Sequence, residues 1–114
     1  MKTSELIGPA LDWAVAKCER FEAFPDGISC IIDHAGSYQP LPKYSTNWAQ
    51  GGPIIERKGI ITGPVNSGRW CAEIADDIAQ VRYLRYAETP LIAAMRCHVA
   101  SEMGDEIEVP EELL

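Results

Sequence analysis

Asn47, Trp48, Gln50 and Arg57 stand within one irregular run, Tyr44 to Ile60, that mixes amide, aromatic, cationic and turn-forming residues. Such a set can hold a flat anionic ring: an indole stacks on its face, Asn and Gln amides bond its polar edges, and a guanidinium meets its charge. Tyr44 in the run and Trp13 from further upstream are the other aromatics expected to line this slot, with Trp70 and Tyr38 as candidates for its rim. Gly51-Gly52-Pro53 reads as a turn opening a short helix, so the amides of Ile54 and Ile55 would face an anion, with Arg57 and Lys58 close by. Glu56 shares that first turn and would repel a phosphate, and the spacing matches neither the P-loop nor the dinucleotide fingerprint. The same aromatics and glycines would also serve an ordinary core and an ordinary turn.

Other reactive types are present without a pattern. Cys30, His34, Cys97 and His98 are zinc-ligand residues lacking a zinc-ligand spacing, so no metal site is expected, and His98 reads as a residue at the edge of an apolar helix face. Asp33-His34 has no nucleophile at a recognisable spacing, and no cofactor fingerprint appears; the chain is not expected to be an enzyme. The four cysteines are scattered, as buried reduced thiols are.

With 114 residues, 46% of them hydrophobic, the chain suits one domain burying roughly two-thirds of its unfolded surface. Its apolar runs fall far short of the roughly 20 residues that span a bilayer, and Met1-Lys2-Thr3 leads into no signal-peptide core, so neither membrane insertion nor export is expected. The net charge of −7 is concentrated at one end. Glu102, Asp105, Glu106, Glu108, Glu111 and Glu112 all follow the last base, Arg96, and the body before them is almost neutral. Residues 1–104 are therefore read as a single compact domain and 105–114 as an acidic tail, in which Ile107 and Val109 allow a short edge strand. Such a tail repels phosphate backbones, so direct binding to duplex DNA is not expected.

The elements that must position these residues follow from local signals. Gly8-Pro9 opens a helix running to Arg20, with Leu11, Ala14, Val15, Cys18 and Phe21 on its core side and Trp13 outside that stripe. Phe21 to Phe24 and Ile28 to Asp33, joined by Pro25-Asp26-Gly27, read as a hairpin, and His34 to Pro42 as a loop. In the central stretch Thr46 would cap a turn holding Trp48, and Pro53 to Lys58 would form one or two helical turns ended by Gly59. Ile60 to Thr62, Arg69 to Ile74 and Gln80 to Tyr86 are predicted strands, with turns at Gly63-Pro64, Asn66-Ser67-Gly68 and Asp76-Asp77. Thr89-Pro90 opens a second long helix that Gly104 stops after Met103.

Three blocks of the chain carry a resemblance. Thr3-Ser4-Glu5-Leu6 with Ala10-Leu11-Asp12-Trp13-Ala14-Val15-Ala16-Lys17, then Trp48-Ala49-Gln50-Gly51-Gly52-Pro53-Ile54-Ile55-Glu56-Arg57, then Thr89-Pro90-Leu91-Ile92-Ala93-Ala94-Met95-Arg96 with Gly104-Asp105-Glu106 and Val109-Pro110-Glu111-Glu112-Leu113 closely resemble the NinX-like family of small proteins from lambdoid phages and prophages. The resemblance implies an accessory protein acting in the cytoplasm of the infected host, and implies no particular activity. Asn47 stands where family members often carry Asp, Ala87-Glu88 replaces a commoner Gly-Pro, and 61–86 diverges. An acid or metal-ligand role requiring Asp at that central position would be weakened by Asn47.

The expected fold is α+β: two main helices packed on a small, mainly antiparallel sheet, with a structured central loop on one rim. The expected function is that of a non-enzymatic binding protein. It would hold a small anionic or nucleotide-like ligand, such as a host-defence signal, through Trp48, Asn47, Gln50, Gly51, Gly52, Arg57, Tyr44 and Trp13. The alternatives are an inhibitor or adaptor docking on a host or phage protein through the acidic tail, and a small enzyme of phage nucleic-acid metabolism. Homo-oligomer formation stays open.

Overall fold

Thr89 and Pro90 do what their types dictate: the Thr89 hydroxyl accepts from the Ile92 amide at 3.1 Å, and the longest helix runs from Pro90 to Met103. It lies at the centre of an α+β fold seen in a computed structural model that describes residues 1–24, 30–32 and 36–114. In chain order the described elements are α1 (Gly8–Cys18), β1 (Glu22–Phe24), β2 (Cys30–Ile32), β3 (Tyr38–Pro40), α2 (Trp48–Lys58), β4 (Ile61–Pro64), β5 (Trp70–Asp76), β6 (Val81–Ala87) and α3 (Pro90–Met103). The strands form two antiparallel three-stranded sheets, β1-β2-β3 and β4-β5-β6.

Helix α3 packs on β4–β6 with one side and on α1 and α2 with others. Leu91, Met95, Cys97, His98 and Val99 are all at most 2% exposed. Ala10, Ala14, Ala93 and Ala94 are buried as well, small side chains that let neighbouring backbones approach closely. The same closeness explains a departure from the helical-wheel reading. Helix α1 is buried on every face from Ala10 to Ala16, so Trp13, expected outside the stripe, is 7% exposed. Likewise His98 is buried, not a boundary residue.

The central stretch is not a loop. Trp48–Lys58 is a continuous helix, making three principal helices and not two, and its cap is Asn47, not Thr46. The Asn47 Oδ1 accepts from the Ala49 amide at 2.9 Å. Gly51 and Gly52 therefore lie inside the helix. Pro53 is tolerated because the carbonyl it leaves without an amide partner belongs to Ala49, and both residues are exposed to water. Gly59, at φ 65° and ψ 39°, ends the helix as its type predicts.

The strands follow the sequence reading with shifts at their ends. The segment 81–87 is a strand as expected, β5 continues to Asp76, and Gly63-Pro64 belongs to β4 instead of a turn. Within the expected loop from His34 to Pro42, β3 pairs with β2 in the register Ile32↔Tyr38, Ile31↔Gln39, Cys30↔Pro40. The Pro25-Asp26-Gly27 turn, Ile28, Ser29, Asp33 and His34 lie outside the described residues.

The first acidic residues after Gly104 run against the N-terminus. The Thr3 amide donates to Asp105 O at 2.8 Å, the Ile107 amide to Met1 O at 3.0 Å, and the Thr3 hydroxyl to Gly104 O at 3.0 Å. Ile107, Val109 and Leu113 are partly buried against the core, while Glu106, Glu108, Glu111 and Glu112 are exposed.

Candidate functional site

A buried carboxylate sets the position of the central residues. Asp12, on α1 and 6% exposed, accepts from the Ser45 amide at 2.9 Å and the Ser45 hydroxyl at 2.7 Å. Burial raises its pKa, against the opposing pull of the two Ser45 hydrogen bonds and the Lys43 charge. The turn so anchored sends the Asn47 amide to Lys43 O at 2.8 Å, and Gln50 Oε1 accepts from the Lys43 amide at 2.6 Å. The start of α2 is thereby held against the Pro40-Leu41-Pro42 segment.

Between them lies an open groove of about 550 Å³, lined by Phe21, Gln39, Pro40, Leu41, Pro42, Lys43, Asn47 and Gln50. Two of the residues expected to bind a ligand, Asn47 and Gln50, meet in it. The others are distributed elsewhere. Trp48 is 54% exposed but lines a separate hollow with Ser45, Thr46, Thr89, Leu91 and Ile92. Tyr44 and Trp13 are core residues, and burial pushes the Tyr44 hydroxyl pKa up to about 12. Gly51 is buried where α2 meets the Tyr44 carbonyl, and Gly52 neighbours Trp48. Tyr38 is exposed on β3, and Trp70 is partly buried on β5.

Arg57 lies near the far end of α2, paired with Glu19 at 2.7 Å. The expected anion cradle is absent, because Ile54 and Ile55 are interior to a helix already six residues old at that point. Sequence reasoning missed Phe21, Gln39, Leu41 and Lys43. A strand within the supposed loop, signalled only by Tyr38-Gln39, was the clue to them.

A second polar cluster joins the three helices. Glu19 Oε2 contacts both Arg57 and His98 Nε2, the latter at 3.2 Å, while Lys58 pairs with Glu102 at 2.6 Å. Burial alone would raise the Glu19 pKa, but the Arg57 hydrogen bond and charge, helped by His98, bring it below its ordinary value. Burial also holds the His98 imidazole below its ordinary 6.5, against the pull of Glu19. A base with a depressed folded pKa contributes stability above its unfolded pKa and loses it as pH falls through the folded value.

Stability is therefore expected to fall as pH drops below 6.5. The Glu19 and Glu102 carboxylates act in the same direction but only below 4.5, and Asp12 acts in the opposite direction above 3.8. Urea midpoints measured over about pH 5 to 8 should decline on the acidic side in the wild type and much less in His98→Gln. Equal declines in both would assign the effect to another group.

The thiol of Cys97 donates to Tyr83 O at 3.2 Å on the sheet side of α3, whereas His98 faces Glu19. Cys18, Cys71 and Cys97 are free thiols, and the Cys30 and His34 side chains lie outside the described residues. Among the described residues no three His, Cys, Asp or Glu side chains converge as metal ligands.

The family described as Bacteriophage P22, NinX matches residues 2–102. The chain belongs to that NinX family. No curated protein matches it. A crystal structure of a phage protein from Bacillus cereus ATCC 14579 is similar in fold, with a TM-score of 0.66 at 18% identity, covering 85% of this chain and 89% of that one. No described helix is long and apolar enough to cross a membrane. The capping geometry also accounts for Asn47 in a NinX chain: its role here needs an acceptor oxygen, which Asp or Asn supplies equally.

Proposed function

We propose that this NinX chain is a non-enzymatic binding protein, acting in the cytoplasm of the infected host, that holds a small, flat, anionic ligand of nucleotide type in the groove beside α2. The observation that carries this reading is the groove's composition. Phe21, Pro40, Leu41 and Pro42 supply apolar surface, Lys43 supplies a cation, and Gln39, Asn47 and Gln50 supply amide groups. Its volume, about 550 Å³, falls in the range of small-molecule sites. Among the described residues Lys43 is the one titratable side chain in that lining, which favours holding a ligand over converting it. Sequestration of a nucleotide signal of host defence is the concrete form of this function that a phage protein would need.

Native mass spectrometry of the chain purified from infected cells should show an excess of nucleotide size that denaturation removes. Isothermal titration of the released compound should then give binding about tenfold or more weaker with Lys43→Glu. Leu41→Asp should weaken it similarly, while Trp48→Ala, in its separate hollow, should leave binding intact. Wild-type affinity in both groove variants would exclude the groove.

A further inference from the structure

The sheet β4-β5-β6 has α3 on one face only. Ala72, Ile74 and Ala87 are on that face and are buried. The register places alternate residues on the other face: Ile61, Glu73 and Leu84 in one row, Gly63, Cys71 and Tyr86 in the next, and Ala75 beside Arg82. Its large apolar side chains stay in solvent, with Ile61 67% exposed, Tyr86 47% and Leu84 41%. Leu84 and Tyr86 adjoin on β6 beside Cys71, with Ile61 across Glu73, and an exposed apolar patch on a small domain marks a contact surface.

We propose that this face is the contact between two copies of the chain, packed sheet to sheet about a twofold axis. Charge selects that occupant. A chain of net −7 repels its own copy except where charge is cancelled locally. On this face Arg82 binds Glu73 at 2.9 Å, and where β5 begins and β6 ends Arg69 meets Glu88 at 3.8 Å, so the charges on and beside the face cancel in pairs. A neutral apolar surface offers little to nucleic acid or to a strongly basic protein, and it complements another neutral apolar surface. Under a twofold axis, Glu73 and Arg82 of one copy can also exchange partners with those of the other.

Stacking of faces suits the sheet better than joining of edges. On edge strand β6 the carbonyls of Leu84 and Tyr86 already accept from Arg85 at 2.7 Å and Arg96 at 2.8 Å. Pro64 ends the opposite edge strand. Both features remove partners that an added strand would need. Two sheets facing each other about 10 Å apart need no edge.

Size sets the strength. Two strands of seven residues and one of four, about 4.8 Å apart, present roughly 300 Å² in projection. A standard stable interface uses about 800 Å² per partner, so only a weak, rapidly exchanging dimer, populated at high concentration, is expected.

The face shares no residue with the groove, so the two proposals stand or fall separately. Sedimentation equilibrium of the full chain from about 1 µM to about 1 mM is the test. The wild type should rise from one subunit mass towards two over that range. Leu84→Asp, at an exposed position, should remain a folded monomer, and Ile7→Asp, an exposed apolar residue elsewhere, should dimerise normally. A wild type that stays monomeric throughout would overturn the proposal and leave the face to a different protein. A Leu84→Asp, Ile61→Asp double variant that dimerises as well as the wild type would overturn it too.

Discussion

Gly51→Ala is expected to destabilise the protein by about 2–4 kcal/mol, although alanine is the better helix former by about 1 kcal/mol. A Cβ at Gly51 would run into the backbone carbonyl of Tyr44 and come within 2.7 Å of Leu91 Cδ1. Neither neighbour can easily give way. Leu91 is 2% exposed, and the Tyr44 carbonyl precedes Ser45, which Asp12 holds through two hydrogen bonds.

Gly52 provides an internal control, since beyond its chain neighbours and its own helix backbone a Cβ there would come nearest to Trp48 Cε3, at an ordinary 3.8 Å. Gly52→Ala should therefore be close to neutral, the helix gain of about 1 kcal/mol offset by crowding of the new β-carbon against the following Pro53 ring, so that adjacent glycines of one helix respond very differently. Urea denaturation of the two variants decides the matter. A Gly51→Ala protein as stable as the wild type would mean that α2 does not pack this closely on the turn before it.

Arg96→Met should cost about 2–3 kcal/mol, through carbonyls left without a donor. The Arg96 guanidinium donates from Nε to Leu6 O at 2.7 Å and from a terminal nitrogen to Tyr86 O at 2.8 Å. It thus ties the N-terminal segment and the end of β6 to α3. Met replaces the stem but supplies no donor. Arg96→Lys should recover little, because a single ammonium on a flexible stem cannot reproduce a fork that spans two carbonyls. The expected signature is a lower urea midpoint with an unchanged slope in both variants. Full stability in Arg96→Lys would show that charge alone suffices and that the two-carbonyl bridge contributes little.

Signals that act within a few residues were legible. Thr89, Pro90 and Gly104 bracket α3 as expected, Gly59 stops α2, and the segment from Gln80 to Tyr86, read as a strand from the β-preference of its Val and Tyr residues, forms β6 over Val81–Ala87. The misreadings occur where distant neighbours override a local preference. Gly51-Gly52-Pro53 looks like a break because glycine and proline are poor in helix interiors. Asn47 nevertheless caps a helix through that segment, since Gly51 fits against Tyr44 and Pro53 faces water. The candidate site followed suit: Asn47 and Gln50 were expected to lie together and do line one groove, whereas Lys43 and Leu41 reach that groove from the segment that follows β3, which the sequence reads as a loop.

By itself the sequence determined the α+β class, the ends of α3 and the resemblance to the NinX family, because each rests on residue types and spacings read along the chain. Tertiary structure alone decided which side chains became surface. Trp13 was drawn inside because α1 is covered from Ala10 to Ala16, Tyr44 is buried in the turn before α2, and Trp48 was turned away from Gln50 by the continuity of α2. Burial is a property of what packs against a residue. That packing depends on contacts such as Asp12 with Ser45, separated by 33 positions, which no local pattern encodes.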